Sequence, residues 1–132
     1  LYAVSEATVP KITVIVGKAF AGAYIAMGSK YLRADVVYAW PSAEIGLVAA
    51  EGTVNVIYRK EIAAAANPAE ERKKREEQFR NTYMSVYYPA SFQHIDGIID
   101  PRQTRSVLIN TLEALQNKKQ DLPWRKHGNM PL

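Results

Sequence analysis

Residues 17–30, GKAFAGAYIAMGSK, follow the apolar stretch ITVIV at 12–16. That stretch is rich in β-branched residues and too short for a helix, so it predicts a buried strand. The small residues Ala21, Gly22 and Ala23 then lead into a predicted helix and leave their peptide nitrogens unshielded. Unpaired N–H groups at the start of a helix can bind an anion or a developing oxyanion. Small residues at a strand-to-helix junction also permit close packing, and the sequence leaves both interpretations open.

The composition predicts one domain or part of one, because the chain has 132 residues of which 48% are hydrophobic. Since Leu1 begins what looks like the tail of an element, we expect a piece of a longer protein. The absence of cysteine excludes disulfides, thiol catalysis and Cys-ligated zinc, and it favours a cytoplasmic protein. No run approaches the roughly 18 apolar residues of a membrane span, so a soluble protein is predicted.

The net charge of +4 does not come from the densest charged run. Residues 70–77, EERKKREE, sum to zero, and Glu71 lies four residues before Arg75 in the favourable order for an ion pair on a helix. The excess of positive charge lies instead within 118–126, where it could contact a neighbouring subunit or a phosphate-bearing ligand. We therefore expect no nucleic-acid partner.

The rest of the chain predicts alternating strands and helices. The expected elements are a small-residue helix at 23–32 that packs between other elements, a strand at 34–40, a helix at 51–66, a long helix at 69–87 ended by Pro89, an apolar piece at 95–99, a helix from Pro101 to about 117 capped by Asp100, and an extended tail at 121–132. This alternation predicts an α/β fold with parallel strands covered by helices. Two clear strands make a poor sheet, so further strands are expected from outside the chain.

Several common site types do not match the sequence. The spacing of Gly17, Gly22 and Gly28 is not that of a dinucleotide-binding GxGxxG motif, and no phosphate-binding loop motif follows. The serines lack the GxSxG motif of a nucleophile elbow. His94 and His127 are far apart and neither has a helical ligand partner, so no metal is predicted.

Other side chains have a structural interpretation beside a functional one. Glu44 lies in a buried-looking turn, where capping or amide pairing is favoured over a role as general base. His94 and Asp96 could form an acid–base pair, but a histidine between apolar neighbours is more often structural. Four aromatic residues follow helical spacing and favour a core or a subunit interface: Phe79, Tyr83, Tyr87 and Tyr88.

Four segments together resemble one family along nearly the whole chain. They are VPKITVIVGKAFAGAYIAMGSK, ADVVYAWPSAEIGLVAAEGTVNVIYRKEI, DGIIDPRQTRSVLINTLEAL and WRKHGNMPL. In this order they are similar to the carboxyl-terminal part of the carboxyltransferase (β) subunits of biotin-dependent acyl-CoA carboxylases, including propionyl-CoA and acetyl-CoA carboxylases and related decarboxylases. The resemblance implies a crotonase-like ββα superhelix, with residues 1–132 forming the later part of the second domain.

The resemblance also implies a reaction, transfer of CO2 between carboxybiotin and the α-carbon of an acyl-CoA. Biotin would be carried on a separate protein or domain, so the implied partners are a biotin carboxyl carrier protein, a biotin carboxylase subunit and further copies of the chain. In the family's GGAY motif the backbone N–H groups of the Gly-Ala pair form an oxyanion hole on the biotin side, which corresponds to Gly22 and Ala23. Two residues depart from the family pattern and belong to the implied substrate pocket. Ala21 replaces the first glycine, and Ile25 stands where propionyl-type enzymes often have aspartate.

Other functions remain open beside this one. The chain could be a non-catalytic assembly module, a part of a biotin-dependent decarboxylase, or a crotonase-type hydratase or isomerase, for which Glu44 is the one candidate carboxylate. We expect the chain to be inactive alone, because the acyl-CoA half of the site and the opposing subunit would have to hold the reacting carbon against biotin. The acyl group is not predicted.

Overall fold

Two parallel sheets organise the computed structural model, which describes residues 1–124 and 128. The larger sheet has the order β1-β3-β5, and the smaller one pairs β2 with β4. The strands are β1 (Ile12–Ile15), β2 (Lys18–Phe20), β3 (Val36–Ala39), β4 (Glu44–Gly46) and β5 (Gly97–Ile98). Every ladder between these strands is parallel. The α/β fold with parallel strands is therefore confirmed.

Helices connect the strands and cover the sheets. The α-helices of the described residues are α1 (Tyr2–Glu6), α2 (Ala21–Ala26), α3 (Ala50–Ile57), α4 (Arg59–Ala64), α5 (Pro68–Phe79), α6 (Tyr87–Ser91) and α7 (Thr104–Leu115). Two 3-10 helices, Lys30–Leu32 and Pro101–Gln103, and one π-helix, Arg80–Met84, lie between them. Within residues 1–124 and 128, no helix is both long enough and apolar enough to cross a membrane.

The core forms between the two sheets and the segments that follow α5. In β3, Val37 and Ala39 are fully buried and alternate with half-buried neighbours, as the two faces of a pleated strand require. One cluster of buried apolar residues joins both sheets to these segments: Ile15, Ala34, Val37, Ala39, Ala43, Ile45, Val86 and Ile95. Burial of this cluster keeps the two sheets in contact.

Two carboxylates hold the chain on either side of β3. The Asp35 carboxylate accepts a hydrogen bond from the Lys11 N–H at 2.7 Å and from the Lys118 ammonium at 2.8 Å. The Asp96 carboxylate accepts one from the Val37 N–H at 2.7 Å and lies 2.7 Å from the Lys30 ammonium. Each carboxylate thus satisfies a backbone donor and also neutralises an ammonium group.

The predicted helix at 23–32 is wrong in length, because α2 ends at Ala26. Gly28 has a φ of +109°, which ends regular helix, and its carbonyl accepts a hydrogen bond from the Thr13 hydroxyl at 2.6 Å. A Cβ at this glycine would lie 2.8 Å from the Thr13 oxygen, so a larger residue does not fit. A separate 3-10 helix, Lys30–Leu32, follows.

The sequence also missed β2 and β4, which are three residues each and stabilise one another by pairing. The predicted helix at 69–87 is wrong beyond Phe79, where a π-helix replaces α-helix. Pro89 does not end that helix but lies buried inside α6.

Three local expectations concern side-chain contacts and the tail. The Asp100 cap is confirmed, since its carboxylate accepts a hydrogen bond from the Arg102 N–H at 2.9 Å. The ion pair between Glu71 and Arg75 is confirmed at 2.7 Å. Residues 121–124 lie outside any helix or strand, as the predicted tail requires, while 125–127 and 129–132 lie outside the described residues.

Replacing Asp35 should destabilise the protein in a pH-dependent way. Burial alone would raise the pKa of the Asp35 carboxyl, but hydrogen bonds from Lys118 and Lys11 lower it below its ordinary value of 3.8. A carboxyl with a lowered folded pKa contributes stability above its unfolded pKa and loses it as the pH falls through the folded value. We expect Asp35→Asn to lower the free energy of unfolding at pH 7 by about 2 kcal/mol.

Urea unfolding of the intact protein between pH 3 and pH 7 measures this effect, and the difference between parent and variant should shrink below about pH 4. Glu77→Gln, on the exposed face of α5, is the matched control and should change stability by less than about 0.5 kcal/mol. An equal loss for Asp35→Asn at pH 3 and pH 7 would contradict an electrostatic origin.

Candidate functional site

The junction between β2 and α2 is a reversal of the chain without a loop. β2 ends at Phe20 and α2 begins at Ala21, whose φ is +53°. For an alanine this left-handed conformation costs about 1–2 kcal/mol, because Cβ approaches the following carbonyl oxygen. Strain of this kind is concentrated at functional sites, where the surrounding structure imposes it.

The first turn of α2 consists of exposed residues without a side-chain cap. Gly22 and Ala23 are both exposed, and the N-cap residue Phe20 provides no side-chain oxygen to accept from them. N–H groups in a first turn have no acceptor within their own helix. A Cβ built on Gly22 meets no atom within 4 Å, so the space beside it is open. Residues 21–23 are all exposed, which favours the exposed-amide interpretation of this junction over close packing.

A cavity of about 820 Å³ opens beside the same helix. Its walls come from α2, α3, the π-helix, α6 and the segments that join them, and they are mostly apolar or aromatic. The lining residues are Ala21, Tyr24, Ile25, Tyr31, Ile45, Gly46, Leu47, Val48, Gly52, Thr53, Val56, Ile57, Tyr58, Phe79, Tyr83, Met84, Tyr88, Pro89, Phe92 and His94. Ala21 and Ile25 are therefore part of its wall, whereas Gly22 and Ala23, on the same helix turn, are not among its lining residues.

The described lining of this cavity contains no aspartate, glutamate, lysine or arginine. Tyr24 adds a buried hydroxyl that has no hydrogen-bond partner among the described residues. Burial, helped by the nearby Tyr31, raises the pKa of Tyr24 above its ordinary value, so its hydroxyl keeps its proton at neutral pH. The cavity suits a largely apolar ligand with few polar atoms.

One wall of the cavity is a series of aromatic rings in contact. Ring centroids are 5.1 Å apart for Phe79 and Tyr83, 5.4 Å for Tyr83 and Tyr88, and 5.3 Å for Tyr88 and Phe92. Tyr83, Tyr87 and Tyr88 are each more than 40% exposed, so the core interpretation is wrong for these three, and the subunit-interface interpretation stays a prediction. Tyr83 belongs to the π-helix, a conformation frequent at functional sites.

Glu44 has a structural partner and is not part of the cavity wall. Its carboxylate lies 3.4 Å from Nε of Arg80, whose guanidinium also pairs with Glu51 at 2.9 Å. Because an arginine already engages it and the lining does not include it, the geometry offers no support for a general base at this position.

The suggested pair of His94 and Asp96 is not formed. The Asp96 carboxylate is held by Lys30 and by the Val37 N–H, while His94 contacts the Tyr31 hydroxyl. The described residues contain no cluster of three or more histidine, cysteine, aspartate or glutamate side chains that could hold a metal ion.

Solved structures identify the type of fold. The chain superimposes on transcarboxylase 12S, solved as a hexamer assembly with methylmalonyl-coenzyme A and methylmalonic acid bound, with a TM-score of 0.92 and 49% identity. This match covers 99% of the chain and 25% of that protein. The β subunit of geranyl-CoA carboxylase from P. aeruginosa matches with a TM-score of 0.71 and 23% identity over 90% of this chain and 23% of that one, which shows the fold alone. The fold is crotonase-like, and the chain forms part of it.

Sequence comparison identifies the family. The sequence profile of the carboxyl transferase domain family matches residues 1–130, so the chain belongs to the carboxyl transferase domain family. It is 50% identical over 131 residues to the methylmalonyl-CoA carboxyltransferase 12S subunit of Propionibacterium freudenreichii subsp. shermanii, covering 99% of this chain and 25% of that one. It is 47% identical to the propionyl-CoA carboxylase carboxyltransferase subunit of Haloferax mediterranei, covering all of this chain and 26% of that one. The chain thus spans about a quarter of these relatives.

Sequence patterns missed most of the cavity wall. Tyr31 and His94 are 63 residues apart, and nothing in the local pattern of either predicts that they meet. The one local signal for Tyr24 is its position next to the small residues Gly22 and Ala23.

Ala21→Gly tests the strain at the turn. Glycine adopts positive φ without penalty, so this change should raise the free energy of unfolding by about 0.5–1 kcal/mol after the greater flexibility of glycine in the unfolded chain is subtracted. Ala23→Gly is the matched control, because Ala23 lies in the same helix without positive φ. It should lower stability by about 0.5–1 kcal/mol. Urea unfolding of the intact protein gives both free energies. A loss of stability in both variants would contradict backbone strain at Ala21.

Proposed function

We propose that the chain is the biotin-side part of a carboxyltransferase subunit in a biotin-dependent acyl-CoA carboxylase, where CO2 moves between carboxybiotin and the α-carbon of an acyl-CoA. The observation that carries the proposal is the uncapped, exposed first turn at Gly22 and Ala23 beside an apolar cavity. The relatives of about 50% identity support it, because they are named as methylmalonyl-CoA and propionyl-CoA carboxyltransferase subunits.

The residues of the turn fit the ureido group of biotin. When bound, biotin supplies the carboxyl group and, once that group has left, a base for the substrate proton. The N–H groups of Gly22 and Ala23 donate hydrogen bonds to the ureido oxygen, where negative charge develops. Two fixed donors stabilise such a charge better than water because they need no reorganisation during the reaction. The open space at Gly22 allows a flat ring to approach the peptide groups.

The neighbouring residues shape the substrate pocket in this proposal. Ala21 and Ile25 both line the cavity, and the side chains of both are apolar. Ile25 makes the pocket less polar than an aspartate would, so the acyl preference differs from that of enzymes with aspartate there. No side chain of the proposed site acts as a nucleophile.

The proposed partners follow from the same reaction. They are an acyl-CoA, a biotin carboxyl carrier protein with its biotin carboxylase subunit, and further copies of the carboxyltransferase subunit. The hexamer assembly of transcarboxylase 12S supports the last of these. Residues 1–132 are proposed to be one partial domain whose opposing acyl-CoA half lies elsewhere in the complete subunit, and a cytoplasmic location stays a prediction.

A decarboxylase is the second candidate. The chain is 45% identical to the α subunit of methylmalonyl-CoA decarboxylase from Propionigenium modestum, covering 100% of this chain and 26% of that one. The same pair of N–H donors would serve decarboxylation, because negative charge develops at the same ureido oxygen in either direction.

Gly22→Leu in the complete subunit tests the donor pair. A first side-chain atom at Gly22 meets nothing within 4 Å, so folding should be retained while the side chain blocks approach to the amides. We expect carboxyl transfer between an acyl-CoA and biotin to fall at least about 100-fold, as after loss of one oxyanion-hole donor.

Gly17→Leu is the control for this variant, because a Cβ at Gly17 also meets nothing within 4 Å. It should leave transfer within about threefold of the parent. Light scattering of both variants reports assembly. Full carboxyl transfer by Gly22→Leu, with or without loss of assembly, would show that the donor assignment is wrong and favour a structural role for the turn.

A further inference from the structure

One end of the cavity carries polar groups that the proposed donor pair does not use. Tyr31 comes from the 3-10 helix after α2, and His94 comes from the segment before β5. The Tyr31 hydroxyl lies 3.2 Å from Nε2 and 3.3 Å from Nδ1 of His94, and the two ring centroids are 5.1 Å apart. Both side chains line the cavity, and Tyr31 is 57% exposed, so a ligand can reach the pair.

The pair has hydrogen-bonding capacity left for a ligand. A hydroxyl has one proton and therefore donates to only one ring nitrogen of His94 at a time, which leaves the imidazole a further bond to make. Tyr24 also lines the cavity, and its hydroxyl has no hydrogen-bond partner among the described residues. A phenol and an imidazole in contact are thus both available to a ligand in this cavity.

The chemistry around the pair limits what it can bind. The cavity lining that the structure describes has no aspartate, glutamate, lysine or arginine side chain. Such a site fits a ligand with an apolar body and a single oxygen acceptor, since the walls cover the body and the hydroxyl or imidazole N–H donates to the oxygen. A strongly charged ligand group would lack a counter-charge here.

We propose that the Tyr31–His94 pair binds a carbonyl-type oxygen of the ligand in this cavity and so contributes to ligand specificity. The inference rests on the proposed function, which offers two sources of that oxygen, the acyl group of the acyl-CoA and the carbonyl groups of biotin. Each source is one arm of the test.

The test uses the complete subunit with methylmalonyl-CoA as carboxyl donor and biotinyl-lysine as acceptor. Tyr31→Phe keeps the ring contact with His94 and removes the hydroxyl. We expect the KM for one of the two ligands to rise about three- to tenfold, the range for loss of one hydrogen bond, while kcat stays within about twofold. The ligand whose KM rises is the source of the oxygen.

Variants at His94 separate binding from a merely structural role. His94→Leu should raise the same KM as Tyr31→Phe, and His94→Gln, which keeps a donor and an acceptor, should restore at least half of the loss. Tyr87→Phe is the matched control, because it removes the hydroxyl of an exposed tyrosine that does not line the cavity, and it should leave both KM values unchanged.

Unchanged KM values in Tyr31→Phe and His94→Leu would overturn the inference. A lowered Tm with equal defects in His94→Leu and His94→Gln would also overturn it, because the pair would then only hold two segments together. If the parent subunit transfers no carboxyl group, the proposed function fails separately. Thermal-shift titration with each ligand then tests the pair independently of carboxyl transfer. If Tyr31→Phe binds both ligands as tightly as the parent does, the pair has no role in ligand binding.

Discussion

The reversal of the chain at Ala21 is the constraint on which the site depends. β2 and α2 abut, so one residue with a φ of +53° makes the whole change of direction. No loop lies between the two elements that could cover the first turn of the helix, and Gly22 and Ala23 therefore stay exposed. The same short helix brings Tyr24 and Ile25 into the cavity wall.

The parallel pairing around this reversal assembles the remaining walls. Phe20 pairs in register with Gly46, which brings the start of the α3 segment beside α2. On the larger sheet, Asp96 binds the Val37 N–H and Lys30, and these contacts bring the segment containing His94 next to the 3-10 helix that carries Tyr31. The ion pairs of the fold thus also fix the polar end of the cavity, although none of their charged groups lines it.

Local sequence patterns predicted the elements whose cause is local. The strands at β1 and β3 follow from runs of β-branched residues, and the Asp100 cap follows from an aspartate directly before Pro101. β2 and β4 were missed because three residues contain no periodicity and each strand is stable only through the other. The helix predicted to reach residue 87 ends as an α-helix at Phe79. The charged residues of α5 favour helix locally, and the prediction extended that helix too far. The segment after Phe79 forms a π-helix and contributes to the cavity wall, which local patterns do not indicate.

The candidate site was predictable in part, for a similar reason. The small residues at 21–23 allow either an exposed turn or close packing, and the resemblance to acyl-CoA carboxyltransferases favours the exposed turn and implies its role. The left-handed conformation of Ala21 was not predictable, since alanine ordinarily avoids positive φ and only tertiary structure imposes it. His94 and Asp96 lie two residues apart in sequence, which suggests a pair, although a structural histidine is the favoured interpretation. In the structure, the Asp96 carboxylate binds Lys30 and the Val37 N–H, and His94 contacts Tyr31, which is 63 residues away in sequence.

The proposed role of the turn depends on two N–H groups, so removing one N–H without changing any side chain tests it most directly. Lactic acid in place of Ala23 in the complete subunit replaces that N–H by an ester oxygen and keeps the methyl group. We predict that kcat for carboxyl transfer to biotinyl-lysine falls about 100- to 1,000-fold, while assembly and the KM for the acyl-CoA stay as in the parent. An unchanged kcat in the assembled ester variant would contradict the account.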